Sequence, residues 1–194
     1  MHVPSKGTTK RKILDLAELM LQRLGYNGFS YHHLSNELGI KNAAIHYHFP
    51  TKEALGVQII QRTRERFGKW VNNPENRIMP VRHQLEWFVK TYRYNLNAQN
   101  RVCLIGSLAT DYYTLPPAMQ SAINDLSLEI QKWMAKLLDG GRQTGVLQFE
   151  GNSQDKAVCI LSSLTGSLQL ARLLGNEYFY KTINQIYIDL KLTY

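Results

Sequence analysis

The chain has 194 residues, of which 44% are hydrophobic and 20% charged, and this is the composition of a globular protein with a core of its own. Its formal net charge of +8 favours an anionic partner, because lysine and arginine neutralise phosphates. With two cysteines, no long uncharged apolar tract and no apolar stretch near its start, the sequence predicts a cytoplasmic protein with reduced thiols, and argues against a disulfide framework, a membrane span and an export signal.

Helical periodicity dominates the chain, and the first helices are short. A first helix with one apolar face ends at Gly25, where glycine is a common stop signal. A second helix begins at Ser30 and ends at Gly39, and a short third helix follows over 41–48. Two short helices joined at a glycine predict a helix-turn-helix.

A long fourth helix is predicted to begin at Lys52, after Pro50, and to run to about residue 72. Further helices are predicted at about 80–98, 103–113, 116–142, 154–174 and 177–192. The sequence therefore predicts an all-α protein. An N-terminal three-helix module over 1–52 is predicted to be joined to a helical C-terminal domain over 53–194.

The stretch from Gly28 to Leu55 carries the most specific signal in the sequence. It contains a Leu-Gly-Ile turn, an aromatic Tyr-His-Phe end of the third helix and a Thr-Lys-Glu-Ala-Leu start of the fourth. In order and spacing this stretch resembles the DNA-binding module of the tetracycline-repressor (TetR) family. The resemblance implies a homodimeric transcription regulator, more commonly a repressor, that leaves a palindromic operator when an effector binds.

The second helix of a helix-turn-helix presents its leading residues to base edges, while flanking groups hold phosphates. Lys41 and Asn42 stand at that leading end, and the small side chains of Ala43 and Ala44 allow close approach to the bases. The other candidates for DNA contact are Tyr31, His32, His46, Tyr47, His48 and Lys52. The family usually has tyrosine where this chain has His46, and often serine or threonine where it has Lys41.

Other classes of function have weaker support in the sequence. His46 and His48 lie two apart on a helix and point to different faces, so no metal site is expected, and no cofactor motif is present. Without a GxGxxG, P-loop or GxSxG motif, an enzyme is not predicted. The alternative is a helical ligand-binding or scaffold protein that does not bind DNA sequence-specifically.

Aromatic residues concentrate in the middle of the chain, where they either line a ligand pocket or fill an ordinary core. The resemblance implies a pocket there, and its candidate lining is Trp87, Tyr92, Cys103, Tyr112, Tyr113 and Trp133. Cys103 begins a short helix close to Arg101, so the helix dipole and the guanidinium are expected to lower the pKa of its thiol. It is thus a candidate sensor of electrophiles, or else a small buried hydrophobe.

The last two predicted helices carry apolar stripes that fit half of an intermolecular four-helix bundle. The alternative is that both stripes pack within one chain. The interface candidates are Leu161, Leu164, Leu168, Ile183 and Ile186. The expected partners are therefore double-stranded DNA, a second copy of the chain and an unidentified small-molecule or electrophilic effector, with no membrane.

Overall fold

The computed structural model describes residues 8–97 and 101–192, and within these residues it contains helices and no strand. The helices are α1 Thr9–Leu24, α2 Tyr31–Leu38, α3 Asn42–His48, α4 Lys52–Val71, α5 Pro74–Arg77, α6 Val81–Asn97, α7 Leu104–Thr110, α8 Pro117–Gln143, α9 Ser153–Leu174 and α10 Glu177–Asp189, with a 3-10 turn at Tyr112–Thr114. The all-α prediction is confirmed. The sequence pattern misses α5 and joins α7 to the 3-10 turn, because such short helices carry too few turns to show an apolar stripe.

The N-terminal module packs α2 and α3 against α1. The threonine before α1, Thr8, accepts a hydrogen bond from the Arg11 amide with its side chain at 3.4 Å, which caps the helix. Gly39 ends α2 with a φ of 64°, a left-handed conformation that side chains with a Cβ adopt only at a cost. This turn sets the direction of α3, and Ile45 on α3 is then fully buried against the module's core.

Helix α4 connects the module to the rest of the chain, because it packs against both α1 and α8. The close approach to α8 depends on Gly56: a Cβ at this position would lie 2.4 Å from the sulfur of Met119. Since α4 belongs to both packing layers, the domain boundary between residues 52 and 53 stays a prediction.

The C-terminal domain packs α9 between α8 and α10. Leu164, Leu168, Ile183 and Ile186 are all buried in the core of the single chain, and Leu161 is half-buried against the same core. These stripes meet the chain's own helices, so the structure of the single chain does not support their assignment to an intermolecular interface, which stays a prediction. Periodicity identifies a face that needs covering, but it does not say which surface covers it.

A second apolar surface remains on the other side of α9 and α10, and we call it the outer face. Its large apolar side chains are Val158, Leu170, Leu173, Leu174, Tyr180 and Ile188, and Leu173 is 77% exposed. By length and composition alone α9 is apolar enough to cross a membrane, yet only a third of its most apolar window is buried within the chain. An apolar surface of this kind is typical of a contact between proteins.

The last turn of α1 is bonded to the C-terminal domain. The final carbonyls of a helix have no partner within the helix, so groups from outside must satisfy them. The Ser107 hydroxyl donates to the Leu21 carbonyl at 2.6 Å, and the Gln22 carbonyl accepts from the Val102 amide at 3.3 Å and from Arg172 at 3.1 Å. Since the Gly25 amide already bonds the Leu21 carbonyl at 2.9 Å, the second domain satisfies the Gln22 carbonyl and adds a second bond to that of Leu21.

The chain just after α1 is held by Asp111, whose carboxylate accepts a hydrogen bond from the Tyr26 amide at 2.6 Å. Asp111→Ala leaves this amide without its charged acceptor, and we expect the free energy of unfolding to fall by about 1–3 kcal/mol. Urea unfolding followed by circular dichroism measures the change. Asp125→Ala, which removes an exposed carboxylate from α8, is the matched control and should leave stability almost unchanged. Equal losses in the two variants would contradict a stabilising role for the junction.

Candidate nucleic-acid interface and ligand cavity

Helix α3 presents one face to solvent and one to the core. Ile45 is buried, whereas Asn42, Ala43, His46 and Tyr47 are exposed together with the preceding Lys41. Ala44 and His48 lie half-buried at the edges of this face. Tyr47 is 81% exposed, which is unusual for a large aromatic side chain. A short helix with a small, polar and aromatic face has the form that a major groove accepts.

The histidines near α3 are available at the surface, although two of them have neighbours that orient their rings. The Nδ1 of His46 lies 3.2 Å from the carbonyl oxygen of Pro50, and the Nε2 of His32 lies 3.1 Å from the Asn36 side-chain nitrogen. Each ring keeps its other nitrogen for a further bond. Within residues 8–97 and 101–192 no group of three or more His, Cys, Asp and Glu side chains is arranged to hold a metal ion.

Two residues assigned to phosphate contacts lie inside the module instead. Tyr31 is buried, its hydroxyl donates to the Phe49 carbonyl at 2.8 Å, and burial raises its pKa to about 12. The Lys52 ammonium donates to the Phe29 carbonyl at 2.5 Å and lies 4.5 Å from the centroid of the Tyr26 ring; desolvation lowers its pKa. The Tyr31 hydroxyl and the Lys52 ammonium are thus engaged within the module, so their assignment to DNA stays a prediction that this geometry does not support.

Lys10 is a candidate that the sequence analysis does not identify. It is exposed at the start of α1, and its ammonium lies 5.7 Å from the centroid of the Phe49 ring at the end of α3. The run Lys10-Arg11-Lys12 was the available signal, since adjacent cations near a helix-turn-helix are typical of phosphate contacts.

A cavity of about 410 Å³ lies between α1, α4, α6, α7 and α8, a size typical of small-molecule sites. Trp87, Tyr92 and Cys103 line it, and these are three of the six predicted ligand-binding residues. Its polar lining, which the sequence analysis does not identify, comprises Glu18, Gln22, Arg66, Lys90, Asn95 and Arg101. Gln22 falls opposite the apolar stripe of α1 by its spacing, so the sequence pattern carries no signal for its burial.

The other three predicted residues lie away from the cavity. Trp133 packs edge-on to Phe67 at 5.6 Å between ring centroids, which places it behind the cavity wall. The Tyr112 hydroxyl accepts a hydrogen bond from Asn124 at 2.8 Å, and Tyr113 is 96% exposed. The structure therefore does not bring Tyr112, Tyr113 and Trp133 to this cavity, and their assignment to the ligand stays a prediction without support from its geometry. Aromatic composition alone does not separate wall, core and surface.

The chain's three tryptophans form one cluster beside the cavity. Trp70 and Trp87 stack with 3.5 Å between their ring centroids and an interplanar angle of 7°, and Trp133 meets Trp70 edge-on. Because Trp87 also lines the cavity, indole fluorescence reports on its occupancy.

Cys103 differs from the expectation of a reactive thiolate. The Gly106 amide donates to its sulfur at 3.3 Å, as expected at a helix start, but the side chain is buried beside Thr165. Burial disfavours the charged thiolate, and this effect outweighs the hydrogen bond from Gly106, so the pKa of Cys103 is raised. The predicted lowering of this pKa is wrong.

Comparison with known proteins shows what the chain resembles. The profile of the family described as bacterial regulatory proteins, tetR family, matches residues 13–59. The chain is 30% identical to a TetR transcriptional regulator from Legionella pneumophila, whose crystal structure matches with a TM-score of 0.83 over 97% of this chain and 100% of that one. A TetR-family regulator from Agrobacterium tumefaciens matches at 24% identity and a TM-score of 0.85, over 93% and 97% of the two chains. An uncharacterized HTH-type transcriptional regulator from Lactococcus lactis subsp. lactis is 24% identical over 89% of this chain and 88% of its own.

The raised pKa of Cys103 predicts how its reactivity depends on pH. In a Cys159→Ser variant, which leaves Cys103 as the one thiol, we expect alkylation by iodoacetamide to be at least about tenfold slower in the folded chain than in urea. The rate in the folded chain should also level off at a higher pH than in the unfolded chain, because a raised pKa delays thiolate formation. Mass spectrometry of timed samples measures both rates. Equal rates, or a plateau at lower pH in the folded chain, would contradict the burial argument.

Proposed function

Because the chain belongs to the TetR family of bacterial transcriptional regulators, we propose that it acts in the cytoplasm as a repressor that binds a palindromic operator through α3. The family consists of DNA-binding regulators rather than enzymes, and its members are typically homodimers that respond to small molecules. The observation that carries the proposal is the exposed face of α3, which follows the Gly39 turn and ends at the exposed Tyr47.

On this face we assign Lys41, Asn42, Ala43 and Ala44 to the bases. Lysine suits guanine or phosphate, asparagine suits adenine, and alanine methyls contact thymine methyls. We assign the surrounding donors to phosphates, where they set register without reading sequence: His32, His46, Tyr47, His48 and Lys10. The net charge of +8 supports this assignment, because a positive field draws the chain to DNA.

We assign the outer face of α9 and α10 to the dimer interface, in place of the buried stripes. Its large apolar side chains, led by Leu173, are exposed in the single chain, and the small residues Ser162, Ser163 and Gly166 lie among them on α9. A Cβ added at Gly166 would meet nothing within 4 Å, so a second helix has room to approach closely. A two-fold dimer of this kind presents its two α3 helices to successive major grooves, which is why the operator is expected to be palindromic.

Effector control is assigned to the cavity through reversible binding. An effector releases DNA only if it binds the DNA-incompetent arrangement more tightly than the competent one. The buried Cys103, with its raised pKa, favours this route over covalent capture of an electrophile. A helical ligand-binding protein without sequence-specific DNA binding is the second candidate, and the cavity alone supports it equally well.

Genomic fragments captured by the purified chain provide the operator for a test of the DNA face. Asn42→Ala should cost about 1–3 kcal/mol of binding free energy on the operator and little on unrelated DNA, because its amide reads a base. Tyr47→Ala should weaken binding to both kinds of DNA, because its hydroxyl holds a phosphate. Fluorescence anisotropy titrations measure both effects.

The matched control for the DNA face is Tyr113→Ala, which removes an even more exposed tyrosine from the 3-10 turn that follows α7. It should bind both DNAs as the unaltered protein does. Wild-type affinity in Asn42→Ala and Tyr47→Ala would contradict the proposed face, and the absence of any selective fragment would favour the ligand-binding alternative.

The dimer interface is tested by placing charge on the outer face. Leu173→Arg should give a folded monomer in analytical ultracentrifugation, because an uncompensated guanidinium at an apolar interface costs more than the leucine contributed. Ile78→Arg, at a residue 84% exposed outside α9 and α10, is the control and should remain dimeric. Leu164→Arg should unfold the chain instead of dissociating it, since that leucine is in the core. A dimeric Leu173→Arg variant would contradict the interface.

A further inference from the structure

We propose that the cavity binds an amphipathic anion, a carboxylate carried on an aromatic body, and that Gln22 transmits its presence to the DNA-binding module. The inference rests on the proposed function in taking this cavity as the effector site. It adds the chemical class of the ligand and names the residue through which binding acts on α1.

The sign of the ligand follows from the charged side chains around the cavity. Three are cationic, Arg66, Lys90 and Arg101, and one is acidic, Glu18. The Glu18 carboxylate is ion-paired with Arg62, which also pairs with Asp15, and with Arg66 at 3.1 Å, so two carboxylates and two guanidinium groups balance one another. The further cations of the lining are Lys90 and Arg101. A cationic ligand would compete with these pairs and meet further positive charge, whereas an anion gains from it.

The body of the ligand follows from the apolar part of the lining. Phe67, Trp87, Phe88, Leu126 and Ile130 form a wall on which a flat apolar group can pack. Aromatic side chains stack with aromatic ligands, and their burial supplies most of the binding energy of such pockets. A planar aromatic ring system bearing one carboxylate matches both halves of the cavity.

Gln22 meets the polar end of this cavity from the last turn of α1. Its side chain is buried, its oxygen accepts from Arg101 at 3.2 Å, and its nitrogen donates to the Asn95 side chain at 3.4 Å. A carboxylate is a stronger acceptor for a guanidinium than an amide oxygen is. We expect a bound carboxylate to compete with the Gln22 oxygen for the Arg101 guanidinium, which also lies 5.3 Å from the centroid of the Tyr94 ring, and so to weaken or break this bond.

Loss of that bond bears directly on the junction between the two domains. The backbone carbonyl of the same Gln22 accepts from Val102 and Arg172, so its side chain and backbone are both anchored to the C-terminal domain. A buried amide oxygen deprived of its donor is costly, and the last turn of α1 is expected to shift to recover a partner. Since α2 and α3 pack on α1, that shift changes the position of the DNA-contacting face.

Isothermal titration with three matched probes tests the ligand class: naphthalene-1-carboxylate, naphthalene-1-methanol and naphthalene-1-methylammonium. We expect the carboxylate to bind at least about tenfold more tightly than the alcohol, and the ammonium to bind most weakly. Arg101→Gln should remove this preference. Arg93→Gln is the control, because it makes the same charge change at an exposed position of α6 that does not line the cavity, and it should keep the preference.

An alcohol or ammonium that binds as tightly as the carboxylate would overturn the proposal, as would the failure of all three probes to bind. A preference that persists in a folded Arg101→Gln variant would also overturn it. The ranking on the unaltered protein needs no variant, so it decides the ligand class even if Arg101→Gln does not fold.

The role of Gln22 is tested with the captured operator fragment. Naphthalene-1-carboxylate should release the unaltered protein from the fragment, whereas Gln22→Leu should still bind the carboxylate but no longer lose DNA affinity on binding it. Gln22→Met is the second variant if leucine does not fit. Release from the variant at the same carboxylate concentration as from the unaltered protein would overturn the coupling.

Failure of the proposed function and failure of this inference give different experimental results. If no genomic fragment is bound selectively, the proposed function fails while the probe ranking still tests the anion site. If DNA is bound but the carboxylate is not preferred, the proposed function stands and the inference fails.

Discussion

The bonds from the C-terminal domain to the last turn of α1 are the constraint on which the rest of the structure depends. The last carbonyls of a helix lack partners within the helix, and in water the solvent would satisfy them. Here the Gln22 carbonyl accepts from Val102 and Arg172, and the Leu21 carbonyl, already bonded by the Gly25 amide, accepts a second bond from Ser107. The module with α3 is therefore fixed in orientation by groups that belong to the other domain. Any change in the position of α7 or of the chain before it alters the bonding of α1.

The cavity lies at the same place, and this gives the proposed regulation a physical basis. Gln22 uses its backbone for the junction and its side chain for the cavity wall. A ligand that perturbs the wall thus perturbs a helix end without any long chain of intermediates. Coupling requires that ligand and DNA favour different arrangements of one shared element, and α1 is such an element, because its last turn lines the cavity and α2 and α3 pack against it.

The ends of the N-terminal helices are predictable from the sequence because residues with strong helix-start and helix-stop preferences mark them. Gly25 and Gly39 end their helices where the pattern places the ends, and the start of α4 at Lys52 is also as predicted. What is not predictable is the direction of individual side chains. Tyr31 and Lys52 have the reach and polarity of phosphate ligands, yet Tyr31 bonds the carbonyl of Phe49, which lies eighteen residues further along the chain. Helix α9 is apolar on two faces, and spacing within a single helix cannot tell the face that meets α8 from the outer face.

The thiol of Cys103 shows how burial decides between two local effects of opposite sign. At the start of α7, the Gly106 amide donates a hydrogen bond to the Cys103 sulfur, and this bond favours the thiolate. The same glycine lets α7 approach α9 closely, since a Cβ there would lie 2.8 Å from the Thr165 methyl carbon. The sulfur is buried beside Thr165 at the cavity wall, and desolvation of the charged thiolate there outweighs the hydrogen bond, so the pKa of Cys103 rises. In the sequence, the start of α7 indicates a reactive thiol. In the structure, Gly106 at that same helix start allows the close packing that buries the thiol and lowers its reactivity. We therefore expect the adjoining cavity to bind its ligands reversibly.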